Sequence, residues 1–197
     1  MSRALLLLAL ILLETLSWGV YAEDFHIVFI RHAEKPALGR GQLNCQGLQR
    51  ALALPPVLLK QRGQPTQMMA PNPGIYKKDH GVAYAYIRPL ATLEPSAIRF
   101  GLPIDTHLGY ADSQALAQQL NNSPDLSVIW VAWEHHLLVD TERELMAMWK
   151  QPINIADWPD LEFDRIDIID VQRNLTGIHV SYHQEHEHLN NLPTTCP

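Results

Sequence analysis

Short unbroken apolar runs, rich in β-branched and aromatic residues, alternate along this chain with longer stretches whose apolar positions recur at helical spacing. His26-Ile27-Val28-Phe29-Ile30 reads as a strand buried on both faces, and so does Ser127-Val128-Ile129-Trp130-Val131-Ala132-Trp133. Gln46 to Lys60 sets Leu48, Ala51, Leu52, Val57 and Leu58 on one helical face, which Pro55-Pro56 is expected to kink or end. Thr66 to Ala70 reads as a second strand, Pro71 to Gly81 as loop and Val82 to Ile87 as β-like. Arg88-Pro89 opens a helix toward Phe100, with proline in its favoured first turn. Ser113 to Leu120 and Leu137 to Trp149 give two more helices. Arg165 to Val171 and Ile178 to His183 read as strands joined by a turn at Asn174 to Gly177. Alternation of this kind predicts an α/β fold: a three-layer αβα sandwich on a largely parallel mixed sheet, closed by a late antiparallel pair. There is no internal repeat or linker, so residues 23–197 are expected to form a single domain.

The apolar run Ala4 to Leu13 belongs to a different pattern. A short basic start at Arg3, the run itself and the small-x-small sequence Val20-Tyr21-Ala22 together read as a signal peptide over residues 1–22, cleaved after Ala22. Glu14 leaves the run short of the ~20 apolar residues of a membrane span. The alternative is an uncleaved anchor. Cleavage predicts a mature chain from Glu23 to Pro197 in the periplasm or outside the cell, with no stable membrane association. The 15 Lys and Arg against 21 Asp and Glu give a formal charge of −6, which argues against a broad nucleic-acid surface. A small anionic ligand is still compatible with that charge if a few cations converge on one pocket. Export also opens the question of Cys45 and Cys196, because oxidising compartments permit a bridge that the cytosol does not. Pairing and two unrelated thiols both remain open, and neither cysteine sits in a zinc-spaced or redox motif.

Ligands in open α/β sheets bind beyond the carboxyl ends of strands. Two of the best strands deliver a histidine there: His32 after Ile30 and His135 after Trp133. Arg31 and Arg88 fall at comparable points, and guanidinium forks match phosphate oxygens. The helix start at Pro89 would add a positive end. A histidine within such a setting can attack phosphorus while the cations hold the oxygens on which charge builds.

Four segments, taken in order, resemble one family. Arg31-His32-Ala33-Glu34 is similar to the Arg-His-Gly-Glu signature of the histidine phosphatase superfamily, with alanine at the usual glycine. Leu43-Asn44-Cys45-Gln46-Gly47-Leu48-Gln49-Arg50-Ala51 resembles the segment opening that family's first helix, and Arg88-Pro89-Leu90-Ala91-Thr92 its second-arginine element. Trp133-Glu134-His135 resembles the second-histidine element of a bacterial branch reading Trp-Glu-His, which Trp158-Pro159 and Phe163-Asp164-Arg165 also fit. The resemblance spans about Ile27 to Val180 and implies a phosphoglycerate-mutase-like fold and a metal-independent phosphatase without cofactor. Its nucleophile would be His32, with Arg31, Arg88 and His135 on the phosphoryl group and Lys35 where relatives carry a third arginine.

The family's proton donor has no matching position; Glu94, Asp112 and His136 are the candidates. An unplaced acid favours leaving groups that depart unaided. The expected substrate is a small phosphomonoester or phosphoanhydride in an open, shallow site, since little chain separates Arg88 from His135 to build a cap. Export disfavours mutase action on cytosolic intermediates. Arg88, at a strand end, is expected to face solvent and support little core. The oligomeric state is not legible. Two rival readings stand beside this one. His179, His183, His186 and His188, interleaved with Glu185 and Glu187, would suit an exported metal-binding protein, although a solvated edge strand and tail explains them more simply. A phosphate-binding module without turnover would suit the unplaced acid.

Overall fold

The structure, a computed structural model, describes residues 23–197. The leader read in residues 1–22 lies outside the described residues. The elements follow in the order β1 (Glu23–Arg31), α1 (Cys45–Arg62), β2 (Gln67–Met69), β3 (Tyr76–Asp79), β4 (Val82–Ala85), α2 (Arg88–Phe100), β5 (Ile104–Asp105), α3 (Ser113–Asn121), β6 (Val128–Trp133), α4 (His135–Met148), β7 (Arg165–Asn174) and β8 (Gly177–His186).

Six strands form one sheet in the order β5-β2-β6-β1-β7-β8. The pairs β5/β2, β2/β6 and β6/β1 are parallel, while β1/β7 and β7/β8 are antiparallel. Because side chains alternate across a strand, each central strand feeds two cores. Phe25, Ile27 and Phe29 of β1, with Ile129, Val131 and Trp133 of β6, pack among Leu116 and Leu120 of α3 and Leu138 and Leu145 of α4. Val28 and Ile30, with Trp130 and Ala132, face Leu54 and Leu58 of α1 and Leu93 and Ala97 of α2. Burial on both faces is why these strands read as continuous apolar runs. The result is the three-layer sandwich expected, with the late antiparallel pair at one edge. Among the described residues, no helix is long and apolar enough to cross a membrane.

Three local expectations need correction. Helix α1 runs through Pro55 and Pro56 to Arg62 instead of ending there; Leu54, Pro55 and Leu58 are buried against the sheet, and that packing outweighs the missing N–H donors. The supposed loop Pro71 to Gly81 contains β3, which pairs with β4 as a separate hairpin. Its two turn residues, His80 and Gly81, have φ of 47° and 84°, the double positive φ of a tight hairpin turn. The two-residue strand β5 was not anticipated.

Cys45 and Cys196 form a disulfide across 151 residues of sequence. It fastens the C-terminal tail to the first turn of α1. Beside it, buried Arg50 donates through Nε and one terminal nitrogen to Glu34, at 3.0 Å and 2.7 Å, and through the other to Glu187. The tail is thereby tied to the segment that follows His32. Gly47 allows this: a Cβ there would lie 2.3 Å from the Glu34 carbonyl oxygen.

Candidate active site

Strands β1 and β6 are parallel neighbours in register, Arg31 opposite Trp133, so both deliver their successors to the same sheet edge. The His32 N–H donates to the Trp133 carbonyl at 2.9 Å. His32 is only 2% exposed, and its Nδ1 lies 2.8 Å from the Ala33 carbonyl oxygen. A carbonyl accepts only, so Nδ1 carries the proton and Nε2 keeps its lone pair. Burial, reinforced by the charges of Arg88, Arg31 and Lys35, holds the imidazole pKa well below its usual value. His32 is therefore neutral at neutral pH. Ala33 has no positive φ and is fully buried. Its N–H donates to Thr92 Oγ1 at 3.0 Å, and that hydroxyl donates to the Arg88 carbonyl at 2.8 Å, locking the His32 segment onto α2.

Arg31 is held by backbone. One terminal nitrogen donates to the carbonyls of Asp160 (2.7 Å), Glu162 (2.8 Å) and Pro159 (3.3 Å), and the guanidinium lies 3.8 Å above the Phe163 ring. Burial lowers its pKa to about 10, which leaves it charged. The segment 156–164 that supplies these contacts is itself braced. Trp158 Nε1 donates to the Glu162 carbonyl at 3.0 Å, and Arg165 lies 4.5 Å over the Trp158 ring.

Arg88 departs from expectation: it is 1% exposed, so it does not face solvent. Its guanidinium donates to Asp79 at 2.6 and 3.3 Å, and Asp79 also accepts the Gly41 N–H at 2.8 Å. Burial of the Asp79 carboxyl would raise its pKa, but these bonds hold it below its usual value. The Arg88 N–H is itself given to the Gly41 carbonyl at 3.0 Å, which uses one of the donors at the start of α2. Two further donors, Arg31 Nε and Arg88 Nε, are buried with no partner among the described residues.

His135 is the first residue of α4, capped by Glu134, whose carboxylate accepts the Leu137 N–H at 3.1 Å. The other Glu134 oxygen lies 3.1 Å from His135 Nδ1. Burial pushes the Glu134 carboxyl up, but His135 and the charge of Lys77 hold it down to about 2. His135 Nε2 lies 2.9 Å from Asp160 Oδ1, and His136 Nε2 lies 3.1 Å from that same oxygen. Trp133 Nε1 donates to the Tyr110 carbonyl at 2.7 Å, which sets the Tyr110 ring 5.5 Å from Tyr86.

Lys35 is exposed, yet near enough for its charge to act on His32 and Asp79. A second lysine was missed. Lys77 sits 5.0 Å over Tyr86 and 5.1 Å over Tyr110, within cation–π range. Lys77 and Asp79 share one face of β3, so the hairpin taken for loop supplies both a cation and the carboxylate that holds Arg88. Asp160, Tyr86 and Phe163 were also not assigned. The Tyr86 and Phe163 rings flank His32 at centroid distances of 6.0 and 6.4 Å.

The candidate acids do not converge on His32. Glu94 is exposed on the outer face of α2 beside Leu48 and Ile98. Asp112 accepts the Gly109 N–H at 2.8 Å in the turn before α3. His136 stays at the rim with Asp160. The tail histidines turn to separate partners: His179 to Thr176, His183 to Asp170 and His186 to Asp164. Among the described residues, Glu134, His135 and His136 can each offer a metal-ligating atom within 4.8 Å of the other two.

Neither protein-family models nor curated proteins match the sequence. Solved structures do. The phosphohistidine phosphatase SixA from Nakamurella multipartitia superposes with a TM-score of 0.51 at 13% identity, covering 84% of this chain and 97% of that one. The fold is phosphoglycerate-mutase-like. A mycobacterial glucosyl-3-phosphoglycerate phosphatase in complex with inorganic phosphate gives 0.48 at 18% identity, covering 80% of this chain and 95% of that one. A SixA from Agrobacterium tumefaciens gives 0.45 at 14% identity, with 80% and 96% covered.

Proposed function

We propose that this protein is a metal-independent phosphatase, hydrolysing a small phosphomonoester or phosphoanhydride through a phosphohistidine at His32. The observation that carries the reading is the state of His32. It is neutral, with Nδ1 committed to the Ala33 carbonyl and Nε2 free, in a pocket where Arg31 and Arg88 each keep a buried donor without a protein partner. Buried donors of that kind call for an acceptor, and phosphoryl oxygens supply several. The Nε2 lone pair attacks phosphorus, the P–O bond to the leaving group breaks, and the leaving oxygen takes that electron pair. Water then attacks the phosphohistidine, giving inorganic phosphate and restoring the imidazole. Arg31 and Arg88 stabilise charge on the oxygens throughout. His135 Nε2–H, which now meets Asp160 at 2.9 Å, would donate to the same oxygens once phosphate takes the place of that carboxylate. The motif resemblance of the first three segments and of Trp133-Glu134-His135 supports the superfamily and its Trp-Glu-His branch, and the shared fold is consistent with both. Export to an oxidising compartment, with cleavage after Ala22, accords with the Cys45–Cys196 bridge.

The test is rapid quench with a labelled aryl phosphate, in the presence of chelator. Wild type is expected to carry an acid-labile, base-stable label on His32. His32→Ala is expected to carry none and lose several orders of magnitude in activity, while His135→Ala reacts slowly yet still labels at His32. A label on His135, His136 or a serine, or turnover surviving in His32→Ala, would sink the assignment. A phosphate-binding module would bind phosphate but never label.

A further inference from the structure

His135 and His136 are consecutive residues at the start of a helix, where successive side chains point about 100° apart. Here their rings nevertheless lie 4.0 Å apart between centroids, and both Nε2 atoms point at one oxygen, Asp160 Oδ1, at 2.9 and 3.1 Å. The His136 and Asp160 side chains are 60% and 78% exposed, so one side of the cluster is open to solvent. On the inner side, His135 Nδ1 lies 3.1 Å from Glu134. A neutral imidazole has one N–H, and His135 Nδ1 makes no hydrogen bond among the described residues, so with the proton on Nε2 both rings would donate to the one Asp160 oxygen. A divalent cation would take the place of those two protons, with Asp160 Oδ1 as its third ligand. Glu134, beside Nδ1, then stands where the outer-shell carboxylate of a histidine ligand usually lies.

We propose that His135 Nε2, His136 Nε2 and Asp160 Oδ1 form a zinc site that switches the phosphatase off. Zinc takes imidazole and carboxylate ligands at ~2.0–2.2 Å in tetrahedral geometry, which sets ligand atoms ~3.3 Å apart. The observed 2.9 and 3.1 Å need open only by a few tenths of an ångström. Two histidines and one carboxylate leave a fourth position for water, on the solvent side. Metal on His135 Nε2 removes the donor that would otherwise meet a phosphoryl oxygen, so zinc and substrate exclude one another. The zinc site itself stands on geometry alone; its inhibitory effect rests on the phosphatase reading.

Calorimetric titration of the disulfide-bonded protein with zinc is expected to give one site per chain. His136→Ala and Asp160→Asn are each expected to weaken it at least tenfold, and bound Co2+ is expected to show a tetrahedral visible spectrum that His136→Ala abolishes. In kinetics on an aryl phosphate, zinc should raise KM with little change in kcat, and chelator should reverse this. His136→Ala should keep its chelator-treated kcat/KM and lose zinc sensitivity. Failure to bind zinc, or binding unchanged in His136→Ala, overturns the site. So does binding lost only in His183→Ala and His186→Ala. Zinc binding that depends on His136 without any phosphatase turnover would leave the site standing and reject the proposed activity, whereas turnover without zinc binding does the reverse.

Discussion

Arg88→Ala separates what Arg88 does for the fold from what it does for phosphate. The guanidinium is 1% exposed and the Asp79 carboxylate that holds it 8% exposed. Removing the arginine leaves Asp79 buried with only the Gly41 N–H as donor. Breaking a buried pair by deleting one partner costs about 3–5 kcal/mol. In a domain of this size that is a fall in Tm of roughly 6–20 °C, at ~2–4 °C per kcal/mol. Activity on an aryl phosphate should also drop, by about 10²–10³ if Arg88 contributes as other oxyanion donors do. The informative variant is the neutral pair, Arg88→Met with Asp79→Asn. An amide oxygen at position 79 still accepts from Gly41, and no charge is left uncompensated, so stability should return to within about 1–2 kcal/mol of wild type. Activity should not return. Urea unfolding followed by circular dichroism and steady-state kcat/KM read the two effects independently. Stability of Arg88→Ala equal to wild type would refute the buried pair, and recovery of turnover in the neutral pair would remove Arg88 from the phosphate site.

Purified from an oxidising compartment, the protein should show no free thiol in denaturant, and Cys45→Ser should destabilise it by about 2–4 kcal/mol, since the bridge closes a long loop. A titre of two thiols in unreduced protein contradicts this. Acid should destabilise the fold in two windows. His32 is held neutral, so below its ordinary 6.5 the unfolded chain takes up a proton that the native state refuses. Glu134, held at about 2, contributes stability above its ordinary 4.5 that is lost as pH falls toward 2. The urea midpoint should therefore decline less between pH 6.5 and 4.5 in His32→Gln, and less below pH 4.5 in Glu134→Gln; parallel declines in all three proteins would contradict both assignments.

What the sequence disclosed divides along physical lines. The central strands were legible because burial on both faces writes an uninterrupted apolar run, and their parallel pairing then brings His32 and His135 to one edge. The pairing of Cys45 with Cys196 was an open alternative, because nothing local in either segment encodes a contact across the whole domain. The hairpin was misread because Tyr76-Lys77-Lys78-Asp79 is polar at alternate positions on both faces, the pattern of a loop as much as of an edge ribbon. His80-Gly81 was its only turn signal, and it is weaker than Asn-Gly. That error cost the site Lys77 and Asp79, and with them the reason Arg88 can be buried. Asp160 and Phe163 lie in a segment without regular structure, fixed by Trp158, Arg165 and the carbonyl contacts to Arg31; no periodicity announces such residues.

The ionisation of the acids around the site bears on the leaving group. Asp79, Glu134 and Asp160 all lie below the usual carboxylate range, the first through Arg88 and Gly41, the second through His135 and Lys77, the third through His135 and His136. Each is ionised at neutral pH because it orients a cation or an imidazole, and an ionised carboxylate has no proton to give. Positioning and acid catalysis make opposite demands on a carboxyl group: one requires a lowered pKa, the other a raised one. In this pocket the carboxyl groups are committed to positioning. An alkoxide leaving group would have to draw its proton from water, whereas an aryl or acyl phosphate, or a phosphoanhydride, releases an anion stable enough to depart alone. On the phosphatase reading, the pairings that prepare Arg88 and His135 for phosphate therefore also narrow the substrates toward those whose leaving groups need no acid.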